Sequence, residues 1–145
     1  MPKINLSIEA RMSSSRLPGK VLMNINKKPA LQILTDRLKK LKFVNNIIVS
    51  TTNNHEDDVL VDWCKNNQIK FYRGSENDAL KRVVDTHKTY ESDIIVQITG
   101  DCPLTDPDLI DKSLNIYLNN EYDVVTNTEK YNFPLGIYTQ SYDLK

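Results

Sequence analysis

The chain has 145 residues, with 19 basic and 19 acidic side chains and a formal net charge of zero. This length suits one domain, residues 1–145, with a normal hydrophobic core, and the balanced charge argues against a nucleic-acid-binding surface. No apolar run reaches the roughly 18 residues of a membrane-spanning helix, and two distant cysteines with two histidines indicate neither a disulfide framework nor a zinc site, so we expect a cytoplasmic protein.

Short apolar runs and helical stripes alternate along the chain. The apolar runs predict strands at about 4–8, 47–49, 69–72, 94–98 and 124–125, with a further strand within 136–142. The predicted inner faces of the helices between them are Leu31, Leu34, Leu38 and Leu41; Val59, Leu60, Trp63 and Cys64; Leu80, Val83, Val84 and His87; and Leu109, Ile110, Leu114, Tyr117 and Leu118. This alternation implies a mainly parallel sheet covered on both faces, which is a three-layer α/β/α sandwich.

Two signals mark helix starts. Ser75 and Asp78 have the spacing of a capping box. Asp106 followed by Pro107 predicts an N-cap with Pro at the first helical position. Asp106 and Asp108 also have the Asp-x-Asp spacing of many sugar-nucleotide glycosyltransferases, but the cap and the helix dipole explain both carboxylates.

The loop after the first strand, residues 9–20, reads EARMSSSRLPGK and is called the first loop below. Backbone N–H groups and serine hydroxyls can donate to phosphate oxygens, while arginine and lysine neutralise their charge. The loop is not a P-loop, because Ser14 stands where that motif needs glycine and Val21 where it needs serine or threonine. We predict a polyphosphate-binding loop of another type; the alternative is a basic surface loop that binds nothing.

A second polar loop follows the strand at 94–98 and reads TGDCPL, residues 99–104. Ligands of open parallel sheets bind outside the carboxyl ends of the strands, so Asp101 is expected at the same edge as the first loop. A carboxylate there suits Mg²⁺, which is commonly held by one or two carboxylates, phosphate oxygens and water. The alternative is an aspartate that caps a turn. Tyr131 to Pro134 is a weaker candidate for a lid or an acceptor-site wall.

These two loops and the segment RGSENDALKR, residues 73–82, resemble cytidylyltransferases of the spore coat polysaccharide biosynthesis protein F type, which are related to acylneuraminate (CMP-sialic acid) and CMP-KDO synthetases. The family pattern is close to QARMxSxRLPGK, RGSxxDvLxR and TGDCPLxDP, in that order. The resemblance covers about residues 4–135 and implies a nucleotide-diphospho-sugar transferase fold, which is GT-A-like. It also implies Mg²⁺-dependent transfer of CMP from CTP to a sugar or sugar acid, with release of pyrophosphate, for surface polysaccharide or glycan synthesis.

By motif position, the resemblance assigns roles to residues of this chain. It implies that Arg11, Lys20 and Asp101 act in catalysis and that Asp101 holds Mg²⁺. The implied nucleotide-binding residues are Ala10, Arg11, Ser14, Arg16, Lys20, Arg73, Ser75, Thr99, Gly100 and Asp101. Within this set, Arg11, Ser14, Arg16 and Lys20 would cradle the triphosphate. Ala10, Arg73 and Ser75 would lie near the base or ribose.

The sequence departs from the family pattern at three places. Glu9 replaces a usual glutamine, Ser13 replaces a common glycine, and residues 137–140 carry no acid after Gly136. Family members usually continue beyond the position of Lys145 with a part that supplies a second metal carboxylate and dimer contacts, so a homodimer is one expected assembly.

Two alternatives stay open: a non-catalytic nucleotide-binding module or truncated relic of the family, and a glycosyltransferase that uses a finished nucleotide-sugar. CTP could also be replaced by another nucleoside triphosphate.

Overall fold

A computed structural model describes residues 1–128 and 133–144 of the chain. Tyr131 and Asn132, half of the segment considered as a lid or an acceptor-site wall, lie outside the described residues. The strands and helices are β1 (Ile4–Glu9), β2 (Asn24–Ile25), β3 (Lys28–Pro29), α1 (Ala30–Leu38), β4 (Asn46–Thr52), α2 (Asp58–Asn66), β5 (Lys70–Gly74), α3 (Ala79–Thr89), β6 (Ile94–Thr99), α4 (Pro107–Leu118), β7 (Val124–Thr126) and β8 (Gln140–Asp143). Among the described helices, none has the length and apolar character needed to cross a bilayer.

Six of the described strands form one sheet in the order β5-β4-β1-β6-β8-β7. The central strand β1 pairs in parallel with β4 and β6, and β4 pairs in parallel with β5. Strand β8 runs antiparallel to both of its neighbours. The prediction of a mainly parallel sheet is therefore confirmed, and the carboxyl ends of the four parallel strands meet at one edge.

The two faces of the sheet differ in polarity. Successive side chains of a strand point to opposite faces, and in β1 the apolar set is Ile4, Leu6 and Ile8, all buried in the main core. Helices α1, α2 and α4 contribute to that core through Leu31, Leu34, Leu38, Leu60, Cys64, Ile110, Leu114 and Tyr117. The other set of β1, Asn5, Ser7 and Glu9, faces α3, which buries the polar side chains of Arg82, Thr86 and His87.

Three predicted inner-face residues are exposed instead. Val59, Leu80 and Leu118 are 51%, 69% and 39% exposed. In α3 the reason is the polarity of the sheet beneath it: the helix turns Arg82 and Thr86 inward, where they contact Glu9 and Ser50, and Leu80 therefore points to solvent.

The helix starts match the sequence signals in one case of two. The Asp106 side chain accepts from the Asp108 N–H at 3.0 Å with Pro107 at the first helical position, as predicted. The prediction of a capping box at Ser75 and Asp78 is wrong. Asp78 is itself the N-cap and accepts from the Lys81 N–H at 2.8 Å, while the Ser75 hydroxyl accepts from the Asp78 N–H at 3.1 Å. Aspartate is among the best N-caps, so the helix begins there.

Candidate functional site

An open cleft of about 600 Å³ lies at the edge where β1 and β6 end. The first loop forms one wall, the start of α3 with the turn before it forms another, and Thr99 and Asp101 complete it. The residues that line the cleft are Glu9, Ala10, Arg11, Ser14, Ser15, Arg16, Lys20, Val21, Glu76, Asn77, Ala79, Arg82, Thr99 and Asp101. The structure therefore brings together the three sequence motifs, which are far apart in the chain.

The first loop is closed on the peptide carbonyl of Met12. This oxygen accepts from the N–H groups of Ser14 and Gly19, both at 2.9 Å. Gly19 has a left-handed backbone, with φ of +71°, which favours glycine. The turn at Gly19 leads directly into a short 3₁₀ helix at Lys20–Leu22. This local geometry returns the chain to the cleft, so that both arms of the loop line it.

Lys20 and Asp101 meet across the cleft. The Lys20 Nζ lies 2.5 Å from an Asp101 carboxylate oxygen, and their side chains are 27% and 41% exposed. Partial burial raises the pKa of Asp101, but hydrogen bonds from Lys20 and Thr99 outweigh it, so the net pKa lies below its ordinary value. The carboxylate is therefore ionised at neutral pH, and the pair is accessible to a ligand that could attract the ammonium and the carboxylate separately.

Gly100 allows β1 and β6 to approach closely beneath the cleft. Its N–H donates to the Glu9 carbonyl at 2.8 Å. A Cβ at this position would lie 2.9 Å from the Ala10 Cβ and 3.1 Å from the Glu9 carbonyl oxygen. Ala10 itself is buried and lines the cleft, so these small residues set the spacing between the first loop and Asp101.

The negative charge of Glu9 is neutralised within the protein. Arg82 is only 4% exposed. Its guanidinium lies 3.6 Å from the Glu9 carboxylate and donates to the Ser75 carbonyl at 2.6 Å. The Gln97 side-chain amide also donates to Glu9. Tyr142 donates to Gln97 at 2.6 Å; burial, aided by the Glu9 charge, raises the pKa of Tyr142 to about 12. Glu9, the first departure from the family pattern, is thus an internally paired acid.

Ser13, the second departure, also has a partner. Its hydroxyl donates to the Glu76 carboxylate at 3.3 Å, and the Arg11 guanidinium lies 4.0 Å from the same carboxylate. Glu76 belongs to the 73–82 segment, so this contact joins the first loop to the turn before α3. Arg16 is exposed at the loop tip and has no acidic partner among the described residues.

Arg73 and Ser75 do not line the cleft. The Arg73 guanidinium donates to the carbonyls of Thr52 and Asn54 at 2.9 and 2.7 Å and to the Asp58 carboxylate at 2.6 Å. These contacts occupy the guanidinium with the chain between β4 and α2. Ser75 contacts the cap of α3 through its hydroxyl and Arg82 through its carbonyl. The geometry therefore gives both residues structural contacts, and their place near the base or ribose stays a prediction.

The 73–82 segment reaches the cleft through other residues, which sequence reasoning did not single out: Glu76, Asn77, Ala79 and Arg82. A signal for Arg82 was present. Asn5, Ser7 and Glu9 alternate with the apolar residues of β1, which predicts a polar face that requires a polar partner. No comparable pattern marks Glu76 or Asn77, because turn residues have no periodicity.

The described residues contain no cluster of three or more histidine, cysteine or acidic side chains that could hold a metal alone. Asp101 is the acid that stands opposite the basic first loop, and it already has a cationic partner in Lys20. A single carboxylate fits a Mg²⁺ ion whose remaining ligands are phosphate oxygens and water, and it does not fit a metal bound by protein side chains alone.

The family model for cytidylyltransferases matches residues 7–141. The spore coat polysaccharide biosynthesis protein SpsF of Bacillus subtilis is 34% identical over 141 residues, 94% of this chain and 58% of that protein. The 3-deoxy-manno-octulosonate cytidylyltransferase of Geotalea daltonii is 32% identical over 115 residues, 78% of this chain and 44% of that enzyme. The solved structure of a cytidylyltransferase from Leptospira borgpetersenii gives a TM-score of 0.94 at 36% identity, covering 99% of this chain and 61% of that one.

The chain thus spans between 44% and 61% of the length of these relatives. The similarity extends through all three motifs and through the whole described sheet. The predicted α/β fold and the resemblance noted in the sequence are both confirmed. By sequence and by structure, this chain belongs to the cytidylyltransferase family.

Proposed function

We propose that the protein transfers CMP from CTP to a sugar or sugar acid and releases pyrophosphate, as a step in surface polysaccharide or glycan synthesis. The observation that carries the proposal is the meeting of Lys20 and Asp101 at 2.5 Å in a cleft walled by the first loop. Two relatives support the choice of substrates. SpsF is named for polysaccharide biosynthesis, and the Geotalea daltonii enzyme is named for cytidylyl transfer to a sugar acid.

The chemistry needs little covalent help from the protein. An acceptor oxygen forms a bond to the α-phosphorus, the bond from that phosphorus to the β-phosphate oxygen breaks, and the acceptor's proton is lost to water. Such transfers depend on in-line positioning and on neutralisation of phosphate charge. Arg11, Arg16 and Lys20 supply positive charge along the first loop, and Ser14 supplies a hydroxyl.

Asp101 is the residue that would hold Mg²⁺ in this proposal. The ion, when bound with the triphosphate, would neutralise phosphate charge. The protein's own part is to exchange partners: Lys20 leaves Asp101 for a phosphate oxygen, and Asp101 becomes free to accept a cation. Because both side chains are partly exposed, this exchange requires no opening of the core.

The test uses purified protein, shown to be folded by circular dichroism, with CTP, MgCl₂ and a panel of sugars and sugar acids. We expect pyrophosphate release with at least one acceptor and calorimetric binding of CTP. Absence of both would overturn the proposal. CTP binding without turnover across the panel would favour the binding-module alternative, and consumption of a finished nucleotide-sugar without consumption of CTP would favour a glycosyltransferase.

A further inference from the structure

We propose that Asp57 is a positioning residue for the first loop, acting through the backbone of Met12, and this inference rests on the proposed function of that loop. Asp57 is fully buried and lies in the 3₁₀ helix at His55–Asp57, just before α2. It does not line the cleft, and no sequence motif considered above includes it.

Three donors converge on the Asp57 carboxylate. One oxygen accepts from the Met12 N–H at 2.7 Å. The other accepts from the Thr52 N–H at 3.2 Å and from the Thr52 hydroxyl. The Thr52 hydroxyl in turn accepts from the Asn54 N–H at 3.2 Å, so its own proton is directed to Asp57. The carboxylate therefore joins the end of β4 to the first loop.

Met12 is held on both sides of its backbone. Its N–H is fixed by Asp57, and its carbonyl closes the loop through the N–H groups of Ser14 and Gly19. Arg11 and Ser14, which line the cleft, are the residue before Met12 and the second residue after it. A change in the direction of the Met12 peptide would therefore redirect both groups that are proposed to contact phosphate.

The three donors at position 57 require a side chain that accepts hydrogen bonds and donates none, and an ionised carboxylate is such a group. Asp57 makes no ion pair with a basic side chain among the described residues, so its buried charge depends on these donors. A charge at the start of α2 also complements the helix dipole, but Asp58, at the first position of α2, already meets that need. The contact to Met12 is what distinguishes Asp57.

The experiment compares Asp57→Asn with Thr52→Val as a matched control. Asparagine at 57 keeps one acceptor oxygen but presents an amide to the remaining donors, whereas valine at 52 removes a donor on the β4 side and leaves the Met12 contact intact. Two measurements are made on each protein: affinity for CTP and for inorganic tripolyphosphate by calorimetry, and hydrogen exchange of the Met12 amide without any ligand.

We expect Asp57→Asn to lose exchange protection at Met12 and at least about tenfold in affinity for both ligands, because it loses a hydrogen bond to a charged group. Thr52→Val should keep both properties even where its melting temperature falls. Equal loss of affinity in the two variants, or unchanged affinity in Asp57→Asn with an exposed Met12 amide, would overturn the inference. If Asp57→Asn does not fold, Asp57→Ser takes its place in the same comparison.

Failure of the proposed function has a different signature. If the unmodified protein binds neither CTP nor tripolyphosphate, the function fails, while Met12 exchange in the Asp57 variant still decides whether this residue holds the loop. Protection of Met12 that survives the substitution would overturn the positioning role on its own.

Discussion

The two edges of the parallel sheet both carry polar side chains, but they use them differently. At the amino edge, a hydrogen-bonded chain runs from Lys70 through Asn46, Asn5 and Ser92 to His87. At the carboxyl edge, the cleft presents Lys20, Asp101 and the arginines of the first loop, several of them partly exposed. The residue types overlap, so composition alone does not tell the edges apart.

The difference lies in where each hydrogen-bonded network ends. At the amino edge, the Ser92 hydroxyl accepts from Asn5 and shares a hydrogen bond with the His87 Nδ1, both at 2.8 Å, and the buried His87 Nε2 has no partner in the described structure. At the carboxyl edge, Lys20 and Asp101 contact each other while retaining unused hydrogen-bonding capacity toward solvent. A network that ends in the core stabilises the fold, and a network with accessible charge can bind a ligand. The predictions below test that division, beginning with the largest effect.

The Lys20–Asp101 pair should matter for nucleotide binding and little for folding. Lys20→Ala and Asp101→Ala should each lower kcat/KM for pyrophosphate release roughly 100-fold or more, the usual cost of removing a group that stabilises transition-state charge. Because the pair is partly exposed, each change should alter the free energy of unfolding by no more than about 1 kcal/mol. Pyrophosphate assays, CTP calorimetry and thermal melting measure these effects.

The matched control is Lys28→Ala, since Lys28 forms an exposed pair with Asp36 at 3.3 Å outside the cleft. It should change neither CTP affinity nor activity. Unchanged CTP affinity in both cleft variants would refute the assignment of the site.

His87 should matter for folding and little for nucleotide binding, the opposite of the Lys20–Asp101 pair. Burial lowers the pKa of His87 to about 4 in the folded protein, whereas the unfolded chain binds the proton near 6.5. The unfolded state therefore gains a proton first as the pH falls, and His87 should reduce the free energy of unfolding by about 3 kcal/mol between pH 6.5 and 4. Urea unfolding across this range, compared with His87→Phe, isolates the effect from the carboxylates.

The second histidine provides the control. His55 is fully exposed, and His55→Phe should keep the acid sensitivity that His87→Phe removes. If the two variants retain the same dependence on pH, the buried imidazole is not its source.

Gly100 should couple stability to binding, because it lies under the cleft and its added Cβ would meet Ala10 at 2.9 Å. Gly100→Ala should lower the free energy of unfolding by about 1–3 kcal/mol through overpacking and should also weaken CTP binding. Adding Ala10→Gly removes the nearer contact and should recover part of both losses. Full activity in the single variant would show that the spacing between β1 and β6 is not critical.

Ser13 should give the smallest effect. Ser13→Gly removes a hydrogen bond to the Glu76 carboxylate that is long, at 3.3 Å, and whose acceptor is 36% exposed, so it should contribute about 1 kcal/mol or less. CTP affinity, measured by calorimetry, should change by less than about fivefold. A loss of tenfold or more would mean that the contact between the first loop and the turn before α3 is part of the binding machinery.

The sequence predicted the parallel part of the sheet and the opposition of the first loop to Asp101, because short apolar runs fix strands and parallel strands end at one edge. It did not predict the direction of β8, since Gln140–Asp143 has no apolar alternation. The inward turn of Arg82 and the outward turn of Leu80 depend on the polar face of β1, which is a tertiary effect. Asp57 depends on a contact 45 residues away along the chain, which no local pattern encodes.

The most direct test of the account is a crystal structure with CTP and Mg²⁺. The account predicts the triphosphate between the first loop and Asp101, with Lys20 moved from Asp101 to a phosphate oxygen. A triphosphate bound outside this cleft, or one bound within it while Lys20 and Asp101 remain paired with each other, would contradict it.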